Sequence, residues 1–329
     1  MSESGVKIGE LLVDRVLCAP MAGVTDSAFR RIVRRFHGGL LFTEMLSAKA
    51  LLQGNPNSFE LMRFDPQEKP ICAQLFGSVP EEMGAAAQLL EEQGFDAIDI
   101  NMGCPVPKVM KTGAGCALLK KPKLAADIVK AISSSVRLPV SVKVRRGILL
   151  HDPPPVDFAR GLQEAGASAI TIHGRSWSQG YSGEVDLSSI ARLKEALDIP
   201  VIGNGGIMRP ADALRMMRET GCDGVMVARG MLGAPWFPGE VSKYLQGQSI
   251  ELVRSPEERM KVAVEHLRLE CELKGEERGV REMRKHACWY IKGFKNATEI
   301  RNQIMQVTRF EQMKRLLSAA AEQYEGVSG

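Results

Sequence analysis

Short apolar stretches rich in Val, Ile and Leu alternate with amphipathic stretches of helical length along most of the chain. Apolar runs of this kind predict buried parallel strands, and the segments between them predict helices that cover the sheet. We count eight predicted strands, at residues 16–21, 40–43, 71–76, 97–100, 140–144, 169–172, 201–203 and 224–228. The intervening helices include residues 81–93, 122–135, 156–164, 188–197 and 210–219.

Three of the predicted strands are entered in the same way, by a glycine that follows a helix: Gly94-Phe-Asp-Ala-Ile, Gly166-Ala-Ser-Ala-Ile and Gly221-Cys-Asp-Gly-Val. Glycine commonly ends a helix because it adopts a left-handed conformation without strain. Eight such units in about 245 residues match a (β/α)₈ TIM barrel, whereas a doubly wound open sheet usually has fewer strands. The sequence therefore predicts an α/β TIM-barrel domain over residues 1–246.

The remainder of the chain has no strand pattern. A helix start at Ser255-Pro-Glu-Glu is followed by a helical run from Arg259 to Lys274 and by three further helical runs. These features predict a small all-helical C-terminal domain over residues 247–329.

Charge and composition narrow the functional class only slightly. The net charge of +4 is too small to indicate a nucleic-acid binder, but residues 278–315 hold ten basic and three acidic residues. This tract is either a solvated helix surface or a contact to a phosphate backbone. The seven cysteines show no metal-type spacing, and no metal site is predicted; His37, His151, His266 and His286 show no ligand or base pattern. Without an export signal or a long apolar span, a cytoplasmic protein is expected.

Polar side chains follow most of the predicted strands. The residues at the strand ends are Met21, Glu44, Gln74, Asn101, Lys143, His173, Asn204 and Arg229, of which all but Met21 are polar. In a TIM barrel these positions converge on the active-site mouth. The pattern thus indicates an enzyme rather than a scaffold.

Cys104 is the strongest candidate for a functional side chain. It follows the strand that ends near Asn101, and it lies on a turn stiffened by Pro105 and Pro107, which restrict the backbone. Lys108 and Lys111 make the same loop basic. A thiol in this context is more consistent with chemistry on a polar or anionic substrate than with packing.

The loops after the last two strands predict a phosphate site. Gly203-Asn-Gly-Gly and Ala228-Arg-Gly lie where TIM barrels commonly bind phosphate through backbone N–H groups. A phosphate-bearing cofactor is therefore expected on residues Asn204, Gly205, Gly206, Arg229 and Gly230. Lys143 could neutralise charge on that cofactor or form a Schiff base, and the residues alone do not separate these roles.

Several sequence blocks resemble, in order, those of the tRNA-dihydrouridine synthases, flavoenzymes that reduce specific uridines in tRNA. The blocks are Ala19-Pro-Met-Ala-Gly-Val-Thr-Asp-Ser-Ala-Phe-Arg, Asp99-Ile-Asn-Met-Gly-Cys-Pro, Lys143-Val-Arg-Arg-Gly, His173-Gly-Arg, Ala228-Arg-Gly-Met-Leu-Gly-Ala-Pro-Trp and Arg284-Lys-His-Ala-Cys-Trp-Tyr-Ile-Lys-Gly. The resemblance runs from about Leu17 to Met313, and the combination is more specific than any single block.

The resemblance implies FMN at the barrel mouth, NADPH as electron donor and tRNA as substrate, with no obligate protein partner. It implies that Pro20, Met21, Gln74, Lys143 and His173 contact the flavin and that the predicted phosphate loops hold its phosphate. It also implies that Cys104 protonates C5 of uracil while hydride reaches C6. The implied uracil or RNA contacts are Asn101, Lys108 and Arg175, and Arg145 is also expected to contact the substrate. From the basic tract of the helical domain, Arg281, Arg284 and Lys285 are expected to contact the phosphates of tRNA.

Two departures from the family pattern, Trp177 and Gly206, limit what can be expected about substrate choice. Three other functions remain open on the sequence. These are a flavin dehydrogenase for a free pyrimidine or a dihydroorotate-like acid, a noncatalytic RNA-binding protein, and an aldolase that uses Lys143. The basic helical tract is evidence against the first of them.

Overall fold

A computed structural model describes residues 5–250 and 254–322. Residues 1–4 and 323–329, at the outer ends of the two predicted domains, lie outside the described residues, as do 251–253. The strands are β1 (Gly5–Ile8), β2 (Leu11–Asp14), β3 (Val16–Cys18), β4 (Leu41–Phe42), β5 (Leu46–Ser47), β6 (Ile71–Phe76), β7 (Ala97–Met102), β8 (Val140–Arg145), β9 (Ala169–His173), β10 (Val201–Asn204) and β11 (Gly224–Val227).

The helices associated with the strands are α1 (Ser27–Arg34), α2 (Ala48–Leu52), α3 (Pro56–Met62), α4 (Pro80–Glu92), α5 (Pro107–Met110), α6 (Pro122–Ser135), α7 (Val156–Glu164), α8 (Leu187–Ala196), α9 (Pro210–Thr220) and α10 (Phe237–Leu245). The C-terminal helices are α11 (Pro256–Lys274), α12 (Glu276–Tyr290), α13 (Ala297–Gln306) and α14 (Phe310–Glu322). Short 3₁₀ helices lie at Pro66–Glu68, Gly115–Lys120 and Arg229–Met231.

The predicted TIM barrel is confirmed. Eight parallel strands are ordered β3-β11-β10-β9-β8-β7-β6-β4, and the ring is nearly closed where the Cys18 N–H donates to the Leu40 carbonyl at 3.1 Å. All eight predicted strands are present, and all five predicted helices agree within one residue at each end, with 81–93 and 188–197 each shifted by one. The first strand stops at Cys18 rather than residue 21, since Pro20 has no N–H for the ladder.

The second predicted strand, residues 40–43, is split. β4 and β5 both pair with β6, and Thr43 to Met45 interrupt them. The Thr43 hydroxyl accepts the Gln74 N–H at 3.1 Å, so a side chain takes the place of a ladder carbonyl. The interruption lies at the same end of the barrel as the predicted site.

A hairpin of β1 and β2, which the apolar pattern did not predict, covers the opposite end of the barrel. Its residues Val6, Ile8 and Val13 are buried against inward-facing residues of the barrel strands, among them Leu17 and Phe42. The hairpin excludes water from that end, so the barrel opens only towards the carboxyl ends of its strands.

Residues along each barrel strand alternate between two environments. On β7, Ile98 and Ile100 pack outward among the helices, whereas Asp99 and Asn101 face the barrel interior with Lys143 of β8. This period of two is the ordinary geometry of a strand. It collects the polar residues of several strands inside one barrel.

The helical C-terminal part is also confirmed. Helix α11 begins with Ser255 in a reciprocal capping box with Glu258. The C-terminal helices bury a second apolar cluster that includes Ala28 and Ile32 of α1 and Trp236, so this part of the chain packs directly on the barrel. No helix in residues 5–250 and 254–322 is long and apolar enough to cross a membrane.

Candidate active site

A cavity of about 440 Å³ opens at the carboxyl ends of the barrel strands, a size typical of small-molecule sites. Seven of the eight predicted strand-end residues line it, namely Met21, Gln74, Asn101, Lys143, His173, Asn204 and Arg229. Glu44 does not; its carboxylate accepts the Gly23 N–H beside the cavity. The other predicted residues in the lining are Pro20, Cys104, Arg145, Arg175, Gly205 and Gly206.

The cavity is strongly electropositive. Lys143, Arg145, Arg175 and Arg229 all line it, and the lining contains no aspartate or glutamate. One nitrogen of the buried Arg175 guanidinium, Nη1, has no hydrogen-bond partner in the described residues. Uncompensated cations with a free donor are the features of an anion-binding site.

Lys143 and His173 have pKa values displaced by this environment. Burial lowers the pKa of Lys143 to about 8, an effect that Asp99 opposes and Arg145 reinforces. Lys143 Nζ donates to Asn204 Oδ1 at 3.1 Å. Burial and the surrounding cations lower the pKa of His173 to about 2, so this imidazole is neutral at pH 7.

Glycines allow the backbone after β10 to approach the cavity closely. Gly205 has φ of +119°, and a Cβ there would lie 2.8 Å from His173 Cδ2. Gly206 has φ of +71°. Both glycines line the cavity as predicted. Gly230 does not line it, and it contacts Phe237 so closely that a Cβ would lie 2.4 Å from that ring.

A buried chain of hydrogen bonds positions the Cys104 loop. Ser141 Oγ donates to Asp99 Oδ1 at 2.7 Å, and Gln74 Nε2 donates to Asp99 Oδ2 at 2.7 Å. Gln74 Oε1 accepts from Asn101 Nδ2 at 2.8 Å, and Asn101 Oδ1 accepts the Cys104 N–H at 2.8 Å. The backbone that carries the thiol is therefore tied to three strands.

Asp99 anchors this chain as a buried carboxyl. Burial raises the pKa of Asp99 to about 6, and the hydrogen bonds from Gln74 and Ser141 limit the rise. The sequence identified Gln74 and Asn101 as site residues but assigned no role to Asp99. Its position in a strand gave no signal that its partners would come from neighbouring strands.

We expect Gln74→Met to lower the free energy of unfolding by about 2 kcal/mol, because it leaves buried groups of Asp99 and Asn101 without partners. Methionine keeps the volume of the side chain but makes neither hydrogen bond. Urea unfolding followed by circular dichroism measures the change. Gln303→Met, on an exposed position of α13, is the control and should alter stability by less than about 0.5 kcal/mol. Equal stability of the two variants would contradict the role given to the chain of hydrogen bonds.

A second contact, on the carbonyl side of Cys104, also holds the loop after β7. The Cys116 N–H donates to the Cys104 carbonyl at 3.1 Å, and Gly115, with φ of +62°, makes this approach possible. A Cβ on Gly115 would lie 2.6 Å from the same carbonyl. Cys104 itself is partly exposed to the cavity, whereas Cys116 is fully buried.

Arg145 and Arg175 organise a loop that the sequence did not single out. Arg145 donates to the carbonyls of Gly103, Ser176 and Gly180, and Arg175 Nε donates to the Gly183 carbonyl at 3.0 Å. The loop places Tyr181 over the cavity. Its ring lies 5.6 Å from the guanidinium of Arg145 and 5.0 Å from that of Arg229.

Other predicted residues lie outside the cavity lining. Lys108 is exposed on α5 and Arg281 on α12. Arg284 is partly buried and donates twice to the Val307 carbonyl, at 2.9 and 2.6 Å. Lys285 reaches back towards the barrel, where its Nζ would lie 3.9 Å from a Cβ on Gly23. Besides Tyr181, the lining residues Met45 and Met208 were not anticipated, because isolated methionines in loops carry no sequence signal.

Comparison with known proteins agrees with this architecture. Residues 17–325 match the family described as "Dihydrouridine synthase (Dus)". The "Probable tRNA-dihydrouridine synthase 1" of Synechocystis sp. is 43% identical over 319 residues, covering 96% of this chain and 89% of that protein. The "tRNA-dihydrouridine synthase B" of Pseudomonas aeruginosa is 37% identical over 302 residues, covering 91% of each.

Two solved structures with the same fold have much lower sequence identity. Histamine dehydrogenase from Rhizobium sp. 4-9 matches with a TM-score of 0.57 at 14% identity, covering 80% of this chain and 50% of that chain. The 6-hydroxypseudooxynicotine amine oxidase of Pseudomonas geniculata N1 matches with a TM-score of 0.56 at 14% identity, covering 78% and 52%. At this identity the likeness concerns the barrel fold alone, whereas the family match and the curated relatives extend over nearly the whole sequence. The chain therefore belongs to the dihydrouridine synthase family.

Proposed function

We propose that the protein is an FMN-dependent tRNA-dihydrouridine synthase that uses NADPH to reduce uridines in tRNA to 5,6-dihydrouridine. Family membership and the names of its relatives support the reaction. The observation that carries the proposal is the electropositive cavity at the barrel mouth, with a loop-held thiol at its edge and no carboxylate in its lining.

The residues fit FMN. A cavity of about 440 Å³ with four cationic side chains suits an anionic, drug-sized cofactor. The phosphate would be held by Arg229 and by the backbone of Gly205 and Gly206, which line the cavity and have positive φ values. The flavin ring would lie against residues Pro20, Met21, Gln74, Lys143 and His173. Gly230 would not contact the cofactor itself; it packs against Phe237 behind the cavity lining.

When bound, FMN would supply the hydride for C6 of uracil. The chain itself supplies the proton: the Cys104 Sγ–H would protonate C5, because the loop holds this thiol in the lining of the cavity. Lys143 would contribute the positive charge that favours the more negative, reduced form of the cofactor. The neutral His173 would donate or accept a hydrogen bond without adding charge.

The uridine must leave its stack in tRNA to enter the cavity. Arg145, Arg175 and Tyr181 are placed to receive it, and the unpartnered Nη1 of Arg175 is a free donor for a uracil carbonyl or a phosphate. The Asn101 amide is engaged within the protein: its oxygen accepts the Cys104 N–H, and its Nδ2 group donates to Gln74 Oε1 and more weakly to Met45 Sδ at 4.0 Å, so direct contact with uracil would have to displace the Met45 contact. Lys108 is exposed beside the same loop and would reach only the surrounding RNA.

We also propose that the helical domain from residue 247 onward binds the tRNA backbone. Arg281 is exposed, and Lys285 extends towards the barrel mouth, so the two lie on the side that faces an RNA entering the cavity. Arg284 is a weaker candidate because its Nε and Nη2 groups are already bound to the Val307 carbonyl.

Replacing Arg281 and Lys285 together by glutamine is expected to weaken tRNA binding and to reduce the salt slope of log Kd by about 1 to 2, because each lost phosphate contact removes about 0.7 to 0.9. Filter binding at several salt concentrations measures both quantities. Arg218→Gln, an exposed arginine on α9, is the matched control. An unchanged affinity and slope in the double variant would remove the helical surface from the proposal.

The function itself is tested by anaerobic stopped-flow absorbance. FMN-loaded protein is reduced with NADPH and then mixed with unmodified tRNA or with free uridine. Reoxidation by tRNA alone, with dihydrouridine found in the product, is the expected result. Reoxidation by free uridine, or failure to bind FMN, would overturn the proposal.

A further inference from the structure

Two helices of the C-terminal part bring together three buried metal-binding side chains that the proposed reaction does not use. His266 and Glu270 lie one turn apart on α11, and His286 faces them from α12. Their exposed fractions are 0%, 0% and 1%. One ligand atom from each of the three residues lies within 4.8 Å of the other two. We refer to these residues as the histidine–glutamate cluster.

The donor atoms of the cluster lack partners. His266 Nε2, both nitrogens of His286 and Glu270 Oε1 are buried without a hydrogen bond among the described residues. His266 Nε2 lies 3.7 Å from Glu270 Oε1, which is too long for a hydrogen bond. Two ligands that share a tetrahedral zinc ion with bonds of 2.0–2.2 Å are separated by roughly 3.4 Å, so a small contraction would seat an ion between them.

Neighbouring groups orient two of the three ligands. His266 Nδ1 lies 3.4 Å from the buried Tyr290 hydroxyl, which leaves Nε2 directed at the cluster. Lys274 Nζ forms an ion pair with Glu270 Oε2 at 2.6 Å, and Glu270 Oε1 is the oxygen that faces His266 Nε2. Metal-binding histidines and carboxylates are commonly held in this way by a partner on their other polar atom.

A second group of carboxylates beside the cluster already has its cation. Asp26, Glu270 and Glu282 surround the Lys274 ammonium, which pairs with all three. Lysine satisfies that group, whereas His266 Nε2 and both nitrogens of His286 have no hydrogen-bond partner among the described residues.

We propose that His266, Glu270 and His286 form a structural site for a divalent transition-metal ion of the zinc class. Two imidazoles and one carboxylate are a ligand set that zinc accepts. Phe29 of α1 packs against both histidine rings, with centroids 5.7 and 5.6 Å away, and Lys274 pairs with Asp26 at the start of α1. The ion would crosslink α11 and α12 where they pack against α1. The loop that precedes α1 contains Pro20 and Met21, which line the active-site cavity.

Metal content tests this site independently of activity and of FMN. The full chain, prepared without a histidine tag or chelators, is expected to hold about one zinc ion per chain by mass spectrometric elemental analysis. Dipicolinate should remove the ion and lower the melting temperature by several degrees, and added Zn²⁺ should restore it. Co²⁺ added to the stripped protein should give visible absorption bands of a low-symmetry site with histidine ligands.

His286→Gln and Glu270→Gln are expected to lose the ion and the response of the melting temperature to Zn²⁺. His151→Gln, at an exposed position in the barrel domain, is the control and should keep both. If a variant does not fold, the zinc content, Co²⁺ spectrum and thermal response of the wild type still test whether the site exists. Absence of zinc together with no Co²⁺ spectrum and no thermal response to either ion would overturn the site, as would metal retained equally by the wild type and His286→Gln.

Discussion

Replacing Cys104 by alanine is expected to lower the rate of dihydrouridine formation by about 10²- to 10⁴-fold, the usual contribution of a positioned general acid. In the proposed mechanism the thiol supplies the proton for C5; it lines the cavity, and the backbone N–H of Cys104 donates to Asn101 Oδ1 at 2.8 Å. Reduction of FMN by NADPH needs no proton from Cys104, so the rate of that step should be unchanged. Stopped-flow absorbance of the two half-reactions separates the effects.

Cys271→Ala is the matched control, because Cys271 is also partly exposed but lies on α11, outside the cavity lining. It should retain the wild-type rate of reoxidation by tRNA. If Cys104→Ala reoxidised as fast as the control and formed the same product, Cys104 would not be the acid. A variant that had lost FMN binding as well would point to a role in shaping the cavity.

Lys143→Met is expected to lower the midpoint potential of bound FMN by about 30 to 60 mV at pH 7, since 30 mV corresponds to about 1.4 kcal/mol for a two-electron couple. The cation favours the more negative, reduced cofactor, and methionine removes it while keeping similar bulk. Equilibration against reference dyes measures the potential. Lys130→Met, exposed on α6, is the control and should leave the potential unchanged.

The pH dependence of the same potential gives a second test. Burial lowers the pKa of Lys143 to about 8, so this lysine is charged below that pH and loses its proton above it. Negative charge on the reduced cofactor raises the pKa again, and reduction therefore takes up an additional proton above pH 8. The wild-type potential should fall more steeply with pH there than that of Lys143→Met. Parallel curves over this range would contradict a position of Lys143 beside the flavin ring.

The barrel could be predicted because its signals are local. Apolar strands, helix-ending glycines such as Gly94 and Gly166, and proline at the start of helices each act within a few residues. The β1–β2 hairpin could not be predicted in the same way, since its short strands are stabilised by burial against the inside of a barrel formed by distant residues. The split of the second strand at Thr43 likewise depends on a hydrogen bond to Gln74 of the next strand.

In the candidate site, too, some features follow from local sequence and others from contacts between distant residues. The end of a parallel strand is a sequence position, so Gln74, Lys143, His173 and Asn204 could be placed at the barrel mouth before the structure was known. The partners of a side chain are not encoded by its position. Asn101 was expected to face the substrate. Instead, its Nδ2 group donates a hydrogen bond to Gln74, and its Oδ1 accepts one from the Cys104 N–H.

What the sequence by itself determined was the set of elements, the residues at the barrel mouth and the family resemblance, because these depend on residue type and on spacing along the chain. Only the tertiary structure decided which groups are buried together. Burial in turn sets their protonation states and leaves some of their polar atoms without hydrogen-bond partners. It paired Arg284 with Val307, placed Tyr181 between Arg145 and Arg229, and joined His286 to a histidine and a glutamate from another helix. Hydrogen bonding, pKa and metal affinity depend on contacts between residues far apart in sequence, and folding alone brings those residues together.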